Sequence, residues 1–236
     1  GSSAMAITDP AVPMKWSQPI VKIGHVGTAP LYTGWDEPSW SRQVPPNGPF
    51  QAADDWECKN GLPVTDIHWW GSYVNWKEPL PSFSPAGFWF GIYKDIPADP
   101  SKPGSFSHPG DLEWDFRTTQ YREVFVGYDG AFDAAGNVII HDSTFQYNVD
   151  IPKAVWFYQK GEPGTVGIYW LSIVAIYPTG VNYPWGWKTR PHYFQDDAVR
   201  LTSAGLWQPI YGPDDRSWDL AFELSTVPEP GSMVLL

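Results

Sequence analysis

Residues Val64 to Val74 (VTDIHWWGSYV) alternate with the period of two that marks a β-strand. One set of alternate positions carries Val64, Asp66, His68, Trp70 and Ser72; the other carries Thr65, Ile67, Trp69, Gly71 and Tyr73. Neither set is cleanly apolar, so the alternation leaves open which face is inside. Gly167 to Tyr177 (GIYWLSIVAIY) has no alternation at all. It is short, rich in β-branched residues and bounded by Gly and Pro. That predicts a central strand of a sandwich rather than a helix. Further strands are predicted over Lys15–Ile23 at an edge, Phe88–Lys94, Leu112–Phe116, Tyr121–Tyr128, Val138–Val149, Tyr183–Lys188, Ala198–Thr202 and Ser217–Ser225. Ile151–Phe157 reads either as strand or as a short helical turn after Pro152. Thr28–Pro49 and Pro97–Gly110, punctuated by Pro and Gly, read as long loops.

About nine to eleven short strands with no amphipathic helix predict an all-β fold, a jelly-roll-like double-sheet β-sandwich with long Pro/Gly-rich loops. A barrel is the alternative. A propeller needs an internal repeat, and none is visible. The division of the chain follows: residues 1–6 read as a cloning scar, 7–226 as one β-sandwich domain, and 227–236 as a separate tail. Composition supports the class, with 25 Pro, 22 Gly and 15 Trp among 236 residues. The net charge of -11 argues against nucleic acid, which requires a basic footprint, and leaves cations or neutral molecules as partners. Cys58 is the only cysteine, which excludes an intramolecular disulfide and a multi-cysteine zinc site. Its expected role is that of a small buried hydrophobe.

Three groups of residues invite chemistry. The first is aromatic: Trp69, Trp70, Tyr73 and Trp76, beside His68, and then Tyr183, Trp185, Trp187, His192 and Tyr193. Flat indole and phenol faces stack on sugar rings. The candidate ligand-binding set is therefore His68, Trp70, Tyr73, Trp76, Trp185, Trp187, His192 and Tyr193, the competing reading being that these rings are core. The second group is acidic. The doublets Asp54-Asp55 and Asp196-Asp197 offer hard oxygen ligands and are the candidate Ca²⁺ site, against plain turn chemistry. The third is the pair of carboxyls a glycoside hydrolase needs. Glu113 and Asp115 have i, i+2 spacing and are expected on one sheet face, with Glu123 on the next strand; the alternative is a solvated strand face. No GxSxG, HExxH, GxGxxG or P-loop pattern is present.

The last ten residues, Val227 to Leu236 (VPEPGSMVLL), resemble the start of the PEP-CTERM sorting signal of exported bacterial proteins, cut within its apolar run. Upstream, Lys15–Pro19, Ala53–Trp56, Val64–Tyr73, Gly186–Lys188, Asp196–Val199 and Asp219–Phe222 form an ordered set. Together they resemble an exported PEP-CTERM-associated domain family of unassigned activity. The resemblance implies export to the cell surface or matrix and a β-sandwich-like fold. It implies no reaction and no catalytic residue. The expected function is binding of an extracellular polysaccharide through exposed aromatics, with structural calcium as an accessory. A polysaccharide-cleaving enzyme and a purely structural surface protein are the alternatives.

Overall fold

The computed structural model describes residues 13–43, 50–160 and 166–227. The strands in chain order are β1 (Met14–Gln18), β2 (Lys22–Val26), β3 (Ala29–Tyr32), β4 (Asp36–Pro38), β5 (Trp40–Ser41), β6 (Ala52–Cys58), β7 (Asp66–Tyr73), β8 (Gly87–Ile96) and β9 (His108–Thr118). There follow β10 (Arg122–Phe132), β11 (Val138–Asp150), β12 (Gly167–Ile176), β13 (Trp185–Pro191), β14 (Val199–Leu201), β15 (Trp207–Pro209), β16 (Trp218–Leu220) and β17 (Phe222–Ser225). The only helical turn among the described residues is a 3₁₀ turn over Lys153–Val155, after Pro152. No helix among them is long and apolar enough to cross a membrane.

The strands form two sheets packed as a double-sheet β-sandwich. The first runs β1-β17-β7-β11-β10-β3-β2, with β13 beside β7 and carrying β4 and β16. The second runs β15-β14-β6-β12-β8-β9, with β5 on β12. Burial follows directly from this order. β12 lies between β6 and β8, and every residue from Tyr169 to Ile176 is buried, which is why its sequence shows no alternation. β7 is likewise central, between β17 and β11, and is buried on both faces. Ile67, Trp69 and Tyr73 point into the sandwich; His68, Trp70 and Ser72 point to the other side, which is also covered. That second side is covered because the first sheet curls on itself. Lys188 on β13 reaches Asp129 on β10 although β7 and β11 lie between their strands in the sheet.

The segment Thr28–Pro49 departs from the expectation of a loop, since β3, β4 and β5 lie in it. These strands have four, three and two residues, and Pro30 and Pro38 sit within them. Such short, Pro-bearing pieces carry no readable period and live at sheet margins. Residues 1–6, 44–49 and 228–236, and with them the cloning-scar and sorting-signal readings, lie outside the described residues.

The core between the sheets is aromatic. Trp69 stacks on Tyr147 at 5.4 Å and meets Phe88 and Phe90 edge-on at 5.0 and 5.1 Å. Trp185 meets Phe88 and Tyr147 in the same manner. Gly71 makes room for Trp185: a Cβ there would lie 2.4 Å from the Gly186 carbonyl oxygen and 2.6 Å from the Trp185 ring. Backbone and a fully packed indole cannot both yield, so Gly71→Ala is expected to lose about 1–3 kcal/mol of unfolding free energy, read from urea midpoints. Cys58 is buried as expected, and burial pushes its thiol up.

Candidate functional site

The expected aromatic platforms are mostly core. Trp185, Trp187 and Tyr73 are fully buried, Trp70 and His68 nearly so. His68 accepts or donates at Asn148 and sits 3.5 Å from Asp66, within a covered polar layer. Trp76 is half-covered, packed on Tyr183 with its indole N–H donated to the Leu80 carbonyl. No tryptophan is fully open: Trp16, Trp56, Trp69, Trp70, Trp89, Trp170, Trp185 and Trp187 are buried, and the other seven are partly covered. For Trp69, Trp70, Trp185 and Trp187 the two-sided burial of β7 and β13 is the cause, because it leaves no solvent face for either register.

The carboxylate pair is also corrected. β9 carries an extra residue opposite Ile92 and Tyr93, a bulge that breaks the i, i+2 rule at Glu113. Glu113 ion-pairs Lys94 and Lys160 at 3.1 and 2.7 Å, and the lysines hold its carboxyl below the usual range. Asp115 accepts the Trp89 indole N–H at 3.0 Å. Lys94 and Trp89 lie on opposite faces of β8, so Glu113 and Asp115 do too. Glu123 lies in the other sheet and accepts hydroxyls from Tyr73, Tyr147 (2.7 Å) and Ser84 (2.8 Å). Burial, and then the Glu123 charge, keep both tyrosines protonated as donors. The three carboxylates share no partner, and this arrangement is an acceptor built into the fold rather than an acid/base pair.

The acidic doublets split for an elementary reason. Neighbours on a strand point to opposite faces. On β6, Asp54 turns inward and accepts Gln18 Nε2 (2.7 Å), the Leu220 N–H (2.6 Å) and the Asp55 N–H (3.0 Å). Its oxygens are committed to the protein. Asp55 turns outward, fully buried, and neither oxygen has a hydrogen-bond partner. Burial, with Asp196, Asp219 and Asp95 nearby, pushes its carboxyl up to about 9. Thus Asp196 is one of the charges that act on Asp55, while Asp54 and Asp197 are engaged in other hydrogen bonds.

Asp197 belongs to a surface cluster that also gathers His192 and Tyr193. Asp197 accepts the Ser217 hydroxyl, and Ser217 Oγ lies 3.0 Å from His192 Nδ1. Asp219 Oδ1 is 3.1 Å from the same nitrogen, and Asp219 Oδ2 accepts the N–H groups of Tyr193 (2.6 Å) and Phe194 (3.0 Å). Ser217 and Asp219 both use Nδ1, so no proton relay of the Ser-His-Asp kind runs through His192. What the cluster does provide is a rigid, polar floor. The loop between β13 and β14 is tied down by Asp219 on β16, and β16 is tied to β13 by pairing. Two tyrosines stand beside it, Tyr193 at 54% and Tyr211 at 53% exposure. Arg190 covers one side of the Tyr193 ring at 4.4 Å, and Trp16 meets it edge-on at 6.1 Å. Tyr211 pairs with Ser217 across a β-bridge, and the Asp197 charge adds to burial in pushing its phenol up. Tyr211, Ser217 and Asp219 were not among the expected site residues; the strand expected over Ser217–Ser225 located two of them but not their partners.

The one group of three carboxylates among the described residues that can each bring an oxygen within 4.8 Å of the others was also missed: Asp36, Asp129 and Asp142, all buried. They come from β4, β10 and β11, separate parts of the chain that only the curl brings together. Lys188 stands among them, bonded to Asp129, and its ammonium repels a metal cation.

No curated protein and no solved structure matches the chain. A family model described as a domain of unknown function, DUF7901, matches residues 14–225, from the first strand to the last, and the chain belongs to that family.

Proposed function

We propose that this is an exported surface protein that binds a neutral extracellular polysaccharide at the Tyr193–His192–Asp197–Tyr211 cluster. The observation that carries the proposal is the pair of half-open tyrosines beside a floor of carboxylate, imidazole and hydroxyl groups. Phenol faces supply stacking area, and the polar floor supplies acceptors and donors for sugar hydroxyls. The surrounding acidity, with Asp196 and Asp197 in the loop after β13 and Asp214 and Asp215 in the loop after β15, disfavours acidic polymers. Export rests on the resemblance of the C-terminal residues to a sorting signal. A structural calcium ion at Asp55 and Asp196 fits the same region, because the Asp55 oxygens lack other partners.

Affinity electrophoresis against a panel of neutral and charged polysaccharides tests this reading. Retardation by a neutral polymer is expected, and Tyr193→Ala with Tyr211→Ala should weaken it roughly tenfold or more, about 1.4 kcal/mol. Absence of retardation by any polymer, with the protein folded, would favour the structural alternative.

A further inference from the structure

We propose that Lys188 and Asp129 are joined by an intramolecular amide bond between Lys188 Nζ and Asp129 Cγ, formed with the help of Asp36. The geometry is specific. Lys188 and Asp129 are both completely buried, and the ammonium contacts Asp129 Oδ2 directly. An ammonium has three donors, yet no other hydrogen bond from Nζ occurs among the described residues. Asp36 sits opposite Lys188 in the β4–β13 pairing, so their side chains are cross-strand neighbours on one face. The Asp36 oxygens are buried and receive no N–H or hydroxyl hydrogen bond, and one lies within 4.8 Å of an Asp129 oxygen, the partner to which a protonated Asp36 can donate. Asp129 is held in place by its other oxygen, which accepts the Asp142 N–H at 2.6 Å.

A lysine among three buried carboxyls is a poor salt bridge. Desolvating the charges costs several kcal/mol per ion, and one ammonium cannot balance three carboxylates. Burial, together with the Asp129 and Asp142 charges, holds the Asp36 carboxyl well above the usual carboxylate range, although Lys188 opposes this. Asp36 therefore enters as a carboxylic acid, the form that can relay protons. It donates its proton to Asp129 and takes one from the Lys188 ammonium, leaving a neutral amine beside a neutral acid. Nζ then attacks Cγ, the C–N bond forms, and a C–O bond of Asp129 breaks. Asp36 passes a second proton from nitrogen to the departing hydroxyl. One water leaves, the ammonium has lost two protons in all, and Asp36 ends protonated as it began. No oxidant or co-reactant is consumed. Condensation removes two buried charges in a site closed to water, which is the condition that favours amide over hydrolysis.

The bond would tie β13 to β10 across the concave side of the curled sheet. In a chain whose lone cysteine excludes an intramolecular disulfide, it is a covalent staple made from other residues.

Intact-mass spectrometry of the purified chain, denatured in guanidinium, tests the proposal without depending on any variant. A mass lower than the sequence by one water is expected, and after digestion a branched peptide joining the segments around Lys188 and Asp129. Asp129 precedes Gly130, a pair that can also lose water by closing a succinimide ring on the Gly130 nitrogen. Lys188→Arg separates the two routes, since it restores the full mass if the amide is to lysine and leaves the deficit if it is a succinimide. Asp36→Asn is expected to show the full mass with an unchanged circular dichroism spectrum; a deficit there overturns the role of Asp36. A wild-type chain at full mass, with the Lys188 and Asp129 peptides recovered separately, overturns the bond itself.

Discussion

Trp69→Ala is expected to remove about 3–5 kcal/mol of unfolding free energy, enough to unfold much of the population at 37 °C if total stability is of ordinary size. Trp69 is fully buried and lies where the sheets meet, stacked on Tyr147 from β11 and met edge-on by Phe88 and Phe90 from β8. Truncation leaves a cavity lined by rings that are themselves wedged against Trp185, Tyr121 and Phe116, so the site cannot collapse to fill it. Trp69→Phe should cost much less. It keeps most of the ring volume and removes a buried indole N–H that has no hydrogen-bond partner. Urea denaturation followed by circular dichroism gives both values; equal losses for Ala and Phe would show that packing volume is not what Trp69 contributes.

The second large effect is on pH dependence. The Asp55 carboxyl is pushed up to about 9 in the folded chain, against about 3.9 when unfolded. Between those values the folded state holds a proton that the unfolded state has released. Stability therefore falls as pH rises through this window, by up to about 1.4 kcal/mol per pH unit for this one group. Asp142, pushed up to about 7 by burial and by Asp129, adds a slope of the same sign that ends near its own pKa. Thermal melts of chelator-treated protein from pH 5 to pH 9 should show Tm declining, and Asp55→Asn should remove the Asp55 share and leave the decline between pH 7 and 9 shallower. A calcium ion at Asp55 and Asp196 requires the ionised form, so added calcium should raise Tm most at high pH. A Tm that climbs from pH 5 to 9 without calcium would contradict the protonated state of Asp55.

What could be read in advance follows the reach of local rules. β12 was legible because burial on both faces writes itself as an apolar run, broken only by Ser172. β11 was legible from its β-branched and aromatic residues between a turn and Pro152. β3, β4 and β5 were not, because strands of two to four residues contain at most two periods of the strand alternation. At the site, His192, Tyr193 and Asp197 were identified by residue type, and the doublet Asp54-Asp55 by proximity in the chain. Proximity misled there, since the same pleat that makes strands sends adjacent side chains apart. The i, i+2 argument for Glu113 and Asp115 failed at a bulge, which no local signal announced.

The sequence by itself determined the class of the molecule: an acidic, disulfide-free, all-β chain rich in aromatic residues, because composition and period-two patterning act within a few residues and do not depend on partners. Only the tertiary structure decided which aromatic rings face water, because burial is set by what covers a strand on each side. It also decided that Lys188, Asp36, Asp129 and Asp142 share one buried volume. Those four come from four strands, and the curl of the sheet that joins them is a property of the whole set of pairings.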